Sequence, residues 1–554
     1  MTGKKMGLAW ALGASLACSL LAMALAPWHG QMPNQYEPQQ QAQVILGAAQ
    51  ELSLGQLPLR EIPAMVNHSY PGLLRYPLFQ FYSQVPYVMG GALAWAGMDP
   101  RAALAVVVGL SFWIGFLGLY AFGRRAGSSQ ATSLLAAGIF TLAPYHLVDW
   151  YSRTAVAELY AFALLPWVAA GTWALVEGPG SLGLVLASGL AWCLLMLSHP
   201  LFHMLGVPAM GLLGLGLAWQ ARSAKGLLWA AAAYLLGLAL AAWFVAPGLL
   251  LGPQMAIKDT FQVLDIIPLK VLFSLRSIPG AGCPDPSLGL ELGVLLWAGW
   301  LAWALLARRQ VTGLLLALAG LALLLAWGPL GIWAHLGLLN SVHSAFRMLL
   351  PVCLFGALPA AEGWMALLGR RWPLLLLFLL VASLQVLDHG LPKAGEAPAP
   401  SGFKPMESGL LVFDQDGFQL GDCKSWWDSR LGCRALNRKG RLMVESCDTT
   451  ASAGDISLGK DVRFSIHGAQ AGSHLLLPLF FYPGYYRIMV NGQRAPYGRN
   501  GCRLALQLPA GDSYVEVSFM GLAWANWVSM LAWLAFAAGL ALWALRRRKG
   551  AQTP

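Results

Sequence analysis

Apolar runs of about 20 residues recur along the first 388 residues and once more near the C-terminus, with short polar breaks between them. That is the length a helix needs to cross a bilayer. The pattern predicts spans at 7–26, 102–122, 131–146, 157–176, 181–198, 200–219, 226–246, 289–307, 311–327, 348–368, 373–388 and 523–545, about twelve in all. Residues 85–97 are apolar too, but short and broken by Pro86 and several glycines, so they read as a re-entrant or interfacial helix. Between 389 and 522 the period changes from 3.6 to 2, in RLMVES, VRFSIH, RIMVNG, RLALQL and YVEVSF. Alternation of that kind predicts strands, and Asn491-Gly492 predicts a two-residue hairpin turn, because both residues tolerate positive φ. The expected fold class is a polytopic α-helical membrane protein with a C-terminal extracytoplasmic β-sandwich. Its parts are a transmembrane domain over 1–388 with a first outside loop at 28–101, a β-domain at 389–522, and a final span with a basic tail at 523–554.

Composition agrees: 57% of the 554 residues are hydrophobic, 11% are charged, and there are 24 tryptophans. The net charge of +11 would suit nucleic acid in a soluble protein. Here the basic residues sit at the ends of apolar runs, so no nucleic-acid partner is expected and membrane topology explains them. Lys4 and Lys5 put the N-terminus in the cytoplasm. If 85–97 does not cross, Arg124 and Arg125, Arg222 and Lys225, Arg308 and Arg309, Arg370 and Arg371, and Arg546 to Lys549 all fall on the same side. Both termini are then cytoplasmic, and the long polar segments face outward. A cleaved leader ending near Ala26 is the alternative; its apolar region exceeds the about 7–15 residues usual for one. Cys423, Cys433, Cys447 and Cys502 are an even set in the β-domain, which suggests two disulfides with three pairings open. A zinc site is the competing reading, although no CxxC pair occurs.

Candidate chemistry follows from polar groups at or near membrane depth, where burial is expensive. The loop 28–101 carries Glu37, Glu51, Glu61, Arg75 and Tyr82. In PYHLVDWYSRTAVAELYAFALLPW, Asp149 and Arg153 are four apart and share a helical face, a spacing that a salt-bridged helix end would also give. Glu158 enters the next span. His199 and His203 flank a break, but Pro200 between them spoils a shared metal-binding face. Lys258, Lys270 and Arg276, with His343 and Arg347, stand near the outer interface, where they could touch lipid headgroups or converge on a phosphate.

The order of these features resembles a known layout. Tyr76-Pro77-Leu78-Phe79-Gln80-Phe81-Tyr82, then Pro144-Tyr145, Arg153, Ala157-Glu158, Ser198-His199, Phe346-Arg347 and the late Tyr482-Pro483-Gly484-Tyr485 are similar to the GT-C membrane glycosyltransferases. The likeness runs to the bacterial membrane proteins called 6-pyruvoyl-tetrahydropterin synthase-related, and more distantly to the YfhO-like group. It implies transfer of a sugar from a polyprenyl-phosphate donor to an envelope glycan, lipid or protein on the outer face of a bacterial inner membrane. It also implies an acid in the first outside loop that takes the acceptor's proton, and cations that take up the charge of the leaving phosphate. Carried onto this chain, the catalytic candidates are Glu37, Asp149 and Glu158. The substrate-binding candidates are Arg75, Tyr82, Arg153, His199, Lys258, Arg276, His343 and Arg347. Relatives commonly carry Asp, often with His, where this chain has Tyr36-Glu37-Pro38 and three glutamines. No nucleotide or pterin is expected, and a divalent metal is left open. Two other classes compete: a flippase of lipid-linked sugars, which an internal repeat of spans would favour, and a catalytically silent assembly protein.

Overall fold

A computed structural model describes residues 2–23, 37–65, 74–151, 153–178, 180–254, 267, 269–273, 290–327, 345–369, 410–411, 434–439, 442–446, 452–453, 457–458, 461–500 and 503–552. The chain opens with α1 (Thr2–Ala22) and the amphipathic α2 (Glu37–Ser53), then a short turn α3 (Leu78–Phe81) and α4 (Val85–Trp95). Helix α4 has 11 residues, a rise of roughly 16 Å and about half of what a bilayer requires. It packs on α2 and also on α5.

The helical body follows as α5 (Pro100–Arg125), α6 (Gln130–Thr141), α7 (Pro144–Tyr151), α8 (Val156–Glu177), α9 (Leu182–Ser198), α10 (Pro200–Gln220), α11 (Lys225–Leu240) and α12 (Ala242–Leu251). After the small α13 (Leu269–Leu272) come α14 (Val294–Leu306), α15 (Gln310–Trp327), α16 (Leu349–Leu368) and the terminal α17 (Ala523–Gln552). Six described helices are long and apolar enough to cross a membrane. Two expected spans are instead broken. The one expected at 131–146 bends by 41° between α6 and α7, and the one at 226–246 bends by 82° between α11 and α12. Counting each bent pair as one span makes eight; α1, α9 and α14 are shorter apolar helices, and the expected span at 373–388 lies outside the described residues.

Helix α8 is the centre of the body, with every residue from Val156 to Val176 buried except Trp167. It packs against α5, α9, α10 and α11. The two ends of the bundle are distinct. At one, Arg309 reaches Glu362 at 2.5 Å and the Ala126 carbonyl at 3.4 Å, while Arg124 donates to the Ser128 carbonyl, so the basic loops after α5 and α14 meet. At the other, Tyr151 donates to the Ala22 carbonyl at 2.6 Å, and the Gln84 amide to the Leu197 carbonyl at 2.7 Å.

Two sheets stand at that second end. The six-stranded one contains β6 (Ser452–Ala453), β7 (Ser457–Leu458), β8 (Val462–Ala469), β10 (Tyr486–Val490), β11 (Gln493–Arg494) and β14 (Gly511–Phe519). Alternation fixes its faces: in β8, Val462, Phe464 and Ile466 are buried, with Arg463 exposed between them. Asn491 (φ 51°) and Gly492 (φ 77°) make the turn from β10 to β11, as the dipeptide predicts. The eight-stranded sheet holds β4 (Arg434–Lys439), β5 (Leu442–Ser446), β9 (His474–Phe480), β12 (Tyr497–Asn500) and β13 (Arg503–Gln507). It also takes β1 (Ile62–Met65) and β2 (Leu74–Tyr76) from the first loop, with β3 (Leu410–Leu411) beside β1. Arg75 of β2 pairs with Leu479 of β9. The first loop and the C-terminal sheet are therefore one structure, which the sequence-based division at 389 separates.

Candidate active site

The short link between α7 and α8 builds the site. Helix α7 ends at Tyr151, and the chain must turn to start α8 at Val156. Thr154 makes that turn at φ 45° and is wholly buried. A β-branched residue there is strained, and such strain persists where the surroundings impose it, often at functional sites. Its backbone neighbours are tightly held: Ala155 N donates to the Asp149 carbonyl at 2.7 Å, and Arg153 N to the Val148 carbonyl at 3.0 Å.

The turn brings four charges together. Arg153 Nη1 lies 2.5 Å from Asp149 Oδ1 and 3.0 Å from Glu158 Oε2, so one guanidinium nitrogen bridges two carboxylates. Asp149 is fully buried and Glu158 is 2% exposed. Arg347, from the 3-10 turn Ala345–Met348 just before α16, places Nε 3.8 Å from Glu158 Oε2. Tyr145 of α7 donates to the other Glu158 oxygen. The Arg153 guanidinium lies 4.9 Å from the centre of the Phe346 ring, a cation-π contact. His199 caps α10, its Nδ1 accepting from Phe202 N at 3.4 Å. His203 sits one turn further along and pairs with Tyr234 at 3.2 Å, so the two histidines do not act together.

This site has spare hydrogen-bonding capacity. Asp149 Oδ2, Arg347 Nε and Arg347 Nη1 are buried with no hydrogen-bond partner. Buried polar atoms normally find one, because leaving them unpaired costs about 1–3 kcal/mol. Two cations and two carboxylates roughly balance in charge, while the Arg347 donors stay uncommitted. Among the described residues no three His, Cys, Asp or Glu side chains gather as metal ligands would.

A second cluster lies in the first loop. Arg75 Nη2 is 2.8 Å from Glu51 Oε2, Nη1 is 3.3 Å from Glu51 Oε1, and Nε is 3.2 Å from Glu61 Oε2. All three residues are at most 3% exposed. Burial pushes the carboxyls of Glu51 and Glu61 above the usual range, against the pull of Arg75. Gln56, with its amide turned to donate, reaches Glu51 Oε2 at 2.5 Å. Arg60 then ties this loop to the base of α17, donating to the Met520 carbonyl at 2.5 Å and to Asn526 Oδ1 at 2.7 Å. A Cβ at Gly521, whose φ is +63°, would lie 2.2 Å from Arg60 Nη1, so the approach needs glycine there. Phe81 meets Tyr482 with ring centres 5.5 Å apart, joining the early YPLFQFY stretch to the late YPGY stretch.

Of the sequence-based candidates, Asp149, Glu158, Arg153 and Arg347 converge, with His199 nearby through the field of Glu158. Arg75 is committed to two glutamates, and Tyr82 lies in the aromatic packing of the loop, 6.2 Å from Tyr87 between ring centres. Glu37 is the first residue of α2; its side chain lies outside the described residues. Lys258, Arg276, His343 and the four β-domain cysteines also lie outside them. Sequence reasoning assigned no role to Tyr145 or Thr154. Tyr145 stood in the quoted PY pair, whereas nothing local marks Thr154.

No curated protein matches this chain. Among solved structures, the arabinofuranosyltransferase AftD from Mycobacteria is similar at 16% identity and a TM-score of 0.47, over 69% of this chain and 26% of that one. The Archaeoglobus fulgidus oligosaccharyltransferase tethered with an acceptor peptide is similar at 14% identity and a TM-score of 0.44, over 73% of this chain and 59% of that one. This chain therefore spans about a quarter of the mycobacterial protein and under two thirds of the archaeal one. The sequence pattern of a membrane-protein family, described as 6-pyruvoyl-tetrahydropterin synthase related domain, matches residues 79–389, more than half of the chain. That interval contains the whole Asp149–Arg153–Glu158–Arg347 cluster, and the chain belongs to this family of 6-pyruvoyl-tetrahydropterin synthase-related membrane proteins.

Proposed function

We propose that the protein is a GT-C-type glycosyltransferase of about twelve spans. It moves a sugar from a polyprenyl-phosphate donor to an envelope acceptor on the outer face of the bacterial inner membrane, with both termini cytoplasmic and the β-sheets outside. One observation carries the reading. Arg347 opens a buried helix with two donor atoms unpaired, beside Arg153, at the end of the bundle where the first loop lies. A phosphate is the ligand that such donors suit, since guanidinium and phosphate pair through parallel charged hydrogen bonds.

In the proposed reaction the acceptor hydroxyl oxygen attacks the anomeric carbon, and Glu37 takes its proton. The bond from that carbon to the phosphate oxygen breaks, and polyprenyl phosphate leaves with the electron pair. Arg347 and Arg153 take up its charge, while Asp149 and Glu158, steadied by Tyr145, hold the two guanidiniums in position. His199, Tyr82, Lys258, Arg276 and His343 extend the binding region, with Arg75 supporting the loop.

The test is purified full-length protein with a radiolabelled polyprenyl-phosphate sugar and envelope extract as acceptor. Glu37→Gln and Arg347→Ala should fold and still bind lipid, but lose transfer. The reading fails if no turnover is seen with any acceptor and both variants complement a deletion strain. That result favours the assembly-protein reading, which the built-in pairing of the first loop with the C-terminal sheet also suits.

A further inference from the structure

The first loop leans over the outer face of the six-stranded sheet and leaves a cleft of about 290 Å³ at the base of α17. Strand parity shows what is unusual about it. In β14, Tyr514 and Glu516 point away from the core while Val515 and Val517 point into it. Ser518 has the outward parity, yet it is only 4% exposed, and its hydroxyl has no partner. Directly opposite on β10 stands Arg487, exposed and without an ion pair among the described residues. Asp461 flanks Ser518 on the other side, immediately before β8.

The loop supplies the facing wall. Leu57, 67% exposed, and Pro58 offer an apolar surface, and Arg60 lies behind them. Arg60 donates to two neutral groups, a carbonyl and an amide, and its guanidinium lies 5.3 Å from the centre of the Trp243 ring, with the Glu61 carboxyl adding an opposing charge. Burial lowers its pKa to about 10, a sign of how poorly solvated that charge is. Arg487 is thus the cleft cation without an ion pair among the described residues, and the carboxylate near it, Asp461, is shared with Arg463 at 3.3 Å.

We infer that this cleft binds an acidic saccharide. A sugar ring presents a C–H face, which suits Leu57 and Pro58, and hydroxyls at its edge, which suit Ser518 and Asp461. A carboxylate or phosphate on the sugar pairs with Arg487. The volume holds roughly one or two sugar residues, at the small end of ligand clefts. Use of the cleft as an acceptor seat rests on the transferase proposal; binding itself does not.

Binding is therefore measured with no donor present, on the full chain in nanodiscs of zwitterionic lipid, by calorimetry. The probes are trigalacturonate, neutral maltotriose and inorganic phosphate. Trigalacturonate should bind at least about tenfold more tightly than either of the others, and Arg487→Ala should weaken it by about tenfold or more. Arg494→Ala, an exposed arginine on β11 outside the cleft, should leave it unchanged. Leu57→Asp, a second exposed site, should also weaken binding without altering the melting temperature. Equal affinity for acidic and neutral trisaccharide, phosphate binding as tightly as the saccharide, or indifference to Arg487→Ala each overturns the inference. Failure of sugar transfer with binding intact would overturn the transferase reading instead.

Discussion

Among the described residues, two buried clusters of acids and arginines lie at one end of the helices, and they differ in how completely they are satisfied. Around Arg75, one guanidinium meets Glu51 through two nitrogens and Glu61 through a third, and the only orphan is Glu61 Oε1. Around Glu158, by contrast, Arg153 bridges two carboxylates from a strained turn, and Arg347 approaches only to 3.8 Å with two donors idle. The first arrangement closes a loop onto a sheet. The second keeps binding capacity in reserve and stores strain at Thr154, features expected where a ligand completes the site. Identical residue types are thus a clamp in one place and a candidate binding site in the other.

Mutation should separate the two. The largest effect on stability is expected from Arg75→Ala, which strands two buried carboxylates and should cost about 3–5 kcal/mol in thermal or denaturant unfolding. Arg347→Ala should do the reverse, lowering sugar transfer by about 10²–10³ while stability moves by less than about 1 kcal/mol. Equal destabilisation by both would erase the distinction. Thr154→Gly sharpens it further: relief of the positive φ should raise stability by about 1 kcal/mol and lower transfer, because the Arg153 turn loosens. A loss of stability there would mean the turn is not strained.

The smallest effect concerns pH. The raised carboxyls of Glu51 and Glu61 mean that the folded protein holds protons more tightly than the unfolded chain, whose carboxyls titrate near 4.5. Stability is then greatest on the acidic side and falls as pH rises through the folded values. Glu61→Gln should flatten that slope in unfolding curves recorded across pH, and an unchanged slope would place the titration elsewhere.

Much of this was legible beforehand, for identifiable reasons. Periodicity and charge placement are local properties, so the helices, the strands of the C-terminal region and the Asn491-Gly492 turn could be read directly. The four-residue spacing of Asp149 and Arg153 likewise announced their pair. The 41° bend carries a local signal in Pro144, which opens α7, whereas the 82° bend at Ala241 lies inside an apolar run with no proline at the break and was hidden.

What the sequence determined alone was a membrane-embedded helical body, a β-rich C-terminal region, and a short set of charged candidates, since each follows from residues near one another in the chain. Tertiary structure decided which candidates meet. It drew Arg347 to Glu158 across 189 positions, gave Arg75 to Glu51 and Glu61, and wove β1 and β2 into a sheet whose other strands lie more than 330 positions away. Partnership at such separations depends on where whole helices and strands pack, and no local pattern encodes it.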